Sequence, residues 1–142
     1  MRLALSFLAL LVFALAALSF PQGNSNRKIS CKTTGNAASC QWIHGRLQFY
    51  NGTPSFRLWK IGTRRLLGIY SGSSAQRADL LDNEHPELPR NVQEKFVPAA
   101  NRVFADFEIC PLEPEKLGSM QAACIEAAKN IFIENLSVNM RR

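Results

Sequence analysis

The chain has 142 residues, a formal charge of +6 and 46% hydrophobic residues. That length suits one domain with a modest core. The positive balance is compatible with an anionic partner but specifies none.

The leader comes first in chain order. Met1-Arg2 precedes an apolar run over residues 3–18, which ends in Ser19-Phe20-Pro21. A short basic start, a long apolar stretch and small residues near its end predict a signal peptide over 1–19. Cleavage is expected after Ser19, with Ala16 as the other site. An uncleaved membrane anchor is the alternative, but the run is short of the roughly 20 residues that a spanning helix needs. All four cysteines, Cys31, Cys40, Cys110 and Cys124, lie downstream. The expected location is therefore secreted or periplasmic, where disulfides persist.

Residues 20–39 are polar and rich in Gly, Ser, Asn and Thr, which predicts a flexible arm up to Cys31. Residues 41–50 alternate. Ile43, Leu47 and Phe49 share one face with Gly45, against Trp42, His44, Arg46, Gln48 and Tyr50, as in a half-buried strand. Asn51-Gly52 predicts a type I′ hairpin turn. A second strand is expected over 56–61 and a third over 65–70, giving an antiparallel meander. Residues 71–101 form a long excursion with clustered acids and prolines, and a short helix over 90–96 after Pro89. Residues 102–110 alternate again as a strand. Over 119–134 the periodicity leaves two readings open. Met120, Ala123, Cys124, Ala127 and Ala128 fit a helical stripe, whereas Ile131-Phe132-Ile133 reads as strand. A single β-rich domain is expected over 40–136, with a basic tail at 137–142. The predicted class is mainly β: a small antiparallel sandwich or partly open barrel with at most one or two short helices.

Four cysteines allow three pairings. Cys110–Cys124 is favoured because it would close the Pro- and Glu-rich segment between them. Cys31–Cys40 would then pin the arm. No two cysteines stand at zinc spacing, so no metal or cofactor is expected.

Catalytic signals are thin. His44 could pair with Asp106 or Glu108 as a small hydrolase would require, but no nucleophile accompanies them. The two acids are rather expected to pair with Arg57 or Arg65. His85 lies in an acidic stretch, Asp82-Asn83-Glu84-His85, that reads as solvated. No phosphate loop or nucleophile elbow occurs.

Charge is divided along the chain. Residues 20–78 hold nine basic residues and no acid, whereas 79–142 hold eleven acids against seven bases. The simpler explanation is that the halves pair with each other. The functional one is a cationic, aromatic face on the meander, built from Trp42, His44, Arg46, Tyr50, Arg57, Trp59, Arg64 and Arg65. Such a face suits an anionic glycan, a lipid headgroup or an envelope protein, and nucleic acid least. Two glycosylation sequons begin at Asn51 and Asn135.

Several linked motifs resemble a family of small exported bacterial proteins of unknown function. They are Ile43-His44-Gly45-Arg46-Leu47, Asn51-Gly52-Thr53-Pro54, Arg57-Leu58-Trp59, Gly62-Thr63, Leu67-Gly68, Asp106-Phe107 and Cys110-Pro111. The resemblance covers residues 40–134. It implies an exported β domain, favours strand over helix at 124–133, and carries no activity or site residue. The opening motifs also resemble secreted transthyretin-like β-sandwiches. Together these features predict an exported, disulfide-stabilised binding module. The alternatives are an envelope assembly protein pairing through a sheet edge, and a hydrolase using His44.

Overall fold

The computed structural model describes residues 27–72 and 84–136. The expected signal peptide and basic tail lie outside the described residues, as does the middle of the excursion. Five strands carry the fold: β1 Gln41–Phe49, β2 Phe56–Lys60, β3 Leu66–Ile69, β4 Asn101–Pro111 and β5 Gln121–Asn135. A 3-10 turn at Ala37–Ser39 and one helical turn at Arg90–Gln93 are the other regular elements among the described residues.

The strands form one sheet that closes on itself in the order β1-β2-β3-β5-β4. The β1-β2-β3 meander is antiparallel, and β4 pairs antiparallel with both β1 and β5. The class is mainly β. Two details of the expectation are corrected. The strands close into a ring where a sandwich or a partly open barrel was expected, and the sheet is not wholly antiparallel, because β3 runs parallel to β5 through Leu67↔Gln121 and Ile69↔Ala123. A parallel neighbour needs a crossover, here the long passage through β4.

Alternation puts Ile43, Leu47, Leu58, Leu67, Ile69, Val103, Phe107, Ile109 and Ile125 into one core. Gly45 faces the same interior. A Cβ there would lie 2.9 Å from Leu58 and 3.3 Å from Phe107, so only glycine lets those two side chains meet. Gly45→Val is therefore expected to cost about 1–3 kcal/mol by overpacking. Urea unfolding measures it, and an unchanged midpoint would contradict the packing.

Residues 84–101 are not a mere connection. Leu88, Val92 and Phe96 join the main core, and Phe96 meets Phe56 edge to face at 5.4 Å. The expected helix is shortened to a single turn, Arg90–Gln93, enough to aim Val92 and Phe96 inward. The β1–β2 connection also departs from expectation. Tyr50 N–H donates to Ser55 O at 2.8 Å, and the backbone is left-handed at Gly52 but not at Asn51. A two-residue type I′ turn needs both. The chain instead makes a longer loop in which Pro54 packs over Gly68, where a Cβ would lie 2.6 Å from the proline ring.

The disulfides are Cys31–Cys124 and Cys40–Cys110, not the expected Cys110–Cys124 and Cys31–Cys40. Register explains the correction. Cys110 and Cys124 are cross-strand partners on β4 and β5. Gln41 pairs with Ile109, so the residue before it, Cys40, stands opposite Cys110 at the end of the β1–β4 ladder. The chain leading into β1 passes back over β5, where Cys31 reaches Cys124. These cysteines form a second buried cluster with Leu112.

The arm has further anchors. The Arg27 guanidinium donates to the carbonyls of Ser71, Glu87 and Ile125, and the Glu87 carboxylate accepts the N–H groups of Lys28 and Ile29. One arginine thus ties the two flanks of the excursion to β5.

Candidate functional site

The same alternation that fills the core sets the outer face. β1 turns Trp42, His44, Arg46 and Gln48 outward, β2 turns out Arg57 and Trp59, and β4 turns out Arg102, Phe104, Asp106 and Glu108. Register aligns them in levels across β2, β1, β4 and β5. One level reads Trp59, Arg46, Phe104, Phe132. The next holds His44, Asp106 and Lys129, and the one beyond holds Trp42, Glu108 and Ala127.

The aromatic level is tightly built. The Arg46 guanidinium lies over the Trp59 ring at 4.9 Å, and the Trp59 indole N–H donates to Thr63 O at 2.8 Å, which fixes the ring. Phe104 and Phe132 stand 6.3 Å apart. Phe132 is 64% exposed and Trp42 43%, large values for such side chains, so this face presents apolar area to solvent. The Lys129 ammonium sits 4.3 Å above the Trp42 ring. Arg46 makes no hydrogen bond or ion pair among the described residues, and its Nε is buried without an acceptor.

The polar level is centred on Asp106. Its Oδ1 lies 3.0 Å from His44 Nδ1, and its Oδ2 accepts a hydrogen bond of 2.6 Å from Asn130 Nδ2. A bulge makes the second contact. Phe104 pairs with Phe132 but Asp106 with Lys129, so β5 carries an extra residue here, and Asn130 takes up a φ of 54°. Asparagine tolerates that conformation better than most residues. A second irregularity, between Glu108 and Ile109, adds Glu126, whose carboxylate accepts the Lys32 N–H at 3.0 Å.

The Asn130 hydrogen bond, and then that of His44, hold the Asp106 carboxyl below its ordinary range. A lowered carboxylate stabilises the fold above its unfolded pKa, about 3.9, and that contribution disappears as pH falls through the folded value. NMR titration is expected to show Asp106 ionising below that reference, and Asn130→Ala should move it back up. A midpoint equal to that of the unfolded chain would contradict the network.

Glu108 does not join His44. It binds Lys32 Nζ at 2.6 Å, and this contact raises the ammonium's affinity for its proton. The expected pairing of Asp106 and Glu108 with Arg57 or Arg65 is corrected, because β1 separates β2 from β4. Arg57 Nε instead donates to Pro54 O at 3.0 Å, and its guanidinium lies 5.0 Å over Tyr50. Arg65 pairs with Glu115 and donates to Gln121 Oε1 at 3.2 Å.

The structure therefore gathers Trp42, His44, Arg46, Arg57 and Trp59 on adjoining strands, with Tyr50 at the end of β1. Arg64 and Arg65 lie apart at the β2–β3 turn, beside Lys116 and Met120 along a groove of about 540 Å³. Phe104, Phe132, Lys129, Asn130 and Arg102 share this outer face but escaped sequence reading. Phe104 had a signal, since it falls on the polar side of the β4 alternation. His85 lies beside Glu84 at a separate groove lined by Tyr50 and Asn51. Asn51 and Asn135 are both exposed. Among the described residues, no group of three or more His, Cys, Asp or Glu is placed to hold a metal. No described helix is long and apolar enough to cross a membrane. Compared with models of known families, with curated proteins and with solved structures, the chain matches none.

Proposed function

We propose that this protein is an exported binding module that holds an acidic glycan on the outer face of β2, β1, β4 and β5. The observation that carries the reading is Arg46, a cation without an acceptor stacked on Trp59 in an aromatic row. Flat rings stack on the apolar faces of sugars, and a guanidinium with no acceptor among the described residues donates to their acidic groups. Lys129 over Trp42 repeats the combination two levels away. Export is supported by the leader, by the two disulfides, and by the resemblance to exported bacterial proteins.

Retention on immobilised heparin tests it. The protein should bind at low salt and elute as salt shortens the screening length from about 10 Å to about 3 Å. Arg46→Ala with Trp59→Ala should elute much earlier. No retention, or retention that survives 1 M salt, would overturn the reading.

A second reading rests on the His44–Asp106 contact, which orients an imidazole as a hydrolase would. His44→Ala and Asp106→Asn should leave glycan retention largely intact if the pair is only structural. Loss of a hydrolytic activity in both variants would favour the enzyme. The sheet-edge reading has less support. Past Ala123, β5 leaves β3, and its Ile125 and Ala128 carbonyls are taken by the Arg27 and Asn91 side chains.

A further inference from the structure

At the aromatic level and the one above it, the outer face carries arginines from three strands. Gln48 pairs with Arg57 on β2. Leu47 pairs with Val103, so the next level along β4 holds Arg102, with Arg46 on the diagonal. Gln48 is thus flanked by Arg57 and Arg102, and Arg46 lies one outward step below it. Arg102 reaches Glu134 with one nitrogen at 3.4 Å, yet its Nε, like that of Arg46, is buried without an acceptor. Glu134, the cross-strand partner of Arg102, is the acid of this cluster, so three guanidinium groups outnumber it.

We propose that Arg46, Arg57 and Arg102 form a subsite for a tetrahedral oxyanion, a sulfate or phosphate ester carried by the bound glycan. This rests on the glycan reading above and names its substrate class. One carboxylate has two oxygens and is satisfied by one guanidinium fork. Arg46 now rests on Trp59, Arg57 on Tyr50 and Arg102 on Glu134, and a group with three terminal oxygens can draw together the forks of three neighbouring strands where a carboxylate engages one. The Nε–H donors of Arg46 and Arg102 are covered and without acceptors, and a small rotation of each side chain toward such a group removes that cost on binding. The aromatic row at the adjoining level then takes the sugar ring.

The test uses the full mature chain labelled with nitrogen-15. Sulfate, phosphate and acetate are titrated at one ionic strength while the arginine Nε–Hε signals are followed. Saturable shifts at Arg46 and Arg102 with sulfate or phosphate, and none with acetate, are expected. Heparin should bind about tenfold tighter than polygalacturonate, which carries only carboxylates. Arg46→Lys and Arg102→Lys keep the charge but lose the fork, and should erase that preference with the melting temperature unchanged. A phosphorylated mannan compared with heparin separates phosphate from sulfate as the source. Unmoved Nε signals, or equal affinity for sulfated and carboxylated glycans, overturn the subsite while the glycan reading stands. Sulfate shifts without retention of any glycan support the subsite and overturn the glycan reading.

Discussion

Replacing Cys31 and Cys124 together by alanine is expected to remove about 4 kcal/mol of stability. The bond joins residues 93 apart, so in the unfolded chain it closes most of the domain into a loop. Cys40–Cys110, with a separation of 70, should matter nearly as much. The two losses will not add, because both bonds fasten the same arm to neighbouring positions on β4 and β5. For a domain of this size, such a loss corresponds to a fall in melting temperature of about 15 °C. Thermal unfolding of each paired variant measures it, and a fall of only a few degrees would contradict the account. Digestion without reduction should yield one peptide pair holding Cys31 with Cys124 and another holding Cys40 with Cys110. A Cys110–Cys124 pair would show that the arm is held differently.

Phe96→Ala is expected to cost about 3–5 kcal/mol, as for other large aromatics in a core. Its ring is nearly buried and lies edge to face with Phe56, which meets Phe49 in the same way at 5.9 Å. Removing it would leave a cavity bounded by β1 and β2 side chains that the sheet holds in place. Val92 and Leu88 cannot fill that space without moving the helical turn, which Arg27 anchors through Glu87. Chemical denaturation should show the loss as a lower midpoint with an unchanged slope. A loss below 1 kcal/mol would mean that residues 84–101 behave as an ordinary surface connection.

The strands were the most legible part of the chain. Alternation located β1, β2 and β4 within a residue or two, because each has one face on the core and one toward solvent, whereas β3, with Leu67, Gly68 and Ile69 all buried, was found only as a short run after Gly62-Thr63. β5 was harder. Ala122, Ala123, Cys124 and Ile125 are all buried, since the disulfide-bonded arm covers the outer side of the strand there. With both faces covered the period of two fades, and alanines imitate a helical stripe. The resemblance to exported proteins pointed to strand, and strand is what forms.

Long-range placement was less legible. The cysteine pairing depends on the β1–β4 and β4–β5 registers, which no local pattern encodes. The excursion was read as a connection because its prolines and acids dominate the composition. Leu88, Val92 and Phe96 recur every four residues and were the available sign that it enters the core. At the site, Trp42, His44, Arg46, Arg57 and Trp59 could be gathered from the β1 and β2 alternation alone. Phe132, Asn130 and Lys129 could not, because a bulge in β5 sets which of them reaches Asp106 and Trp42.

The role of the outer face is tested most directly by NMR of the labelled protein with a heparin oligosaccharide at low salt. Saturable shifts of the Trp42 and Trp59 indole signals, together with Arg46 Nε–Hε, are the predicted result. Shifts confined to the Arg64 and Lys116 groove, or no shift at saturating oligosaccharide, would contradict it.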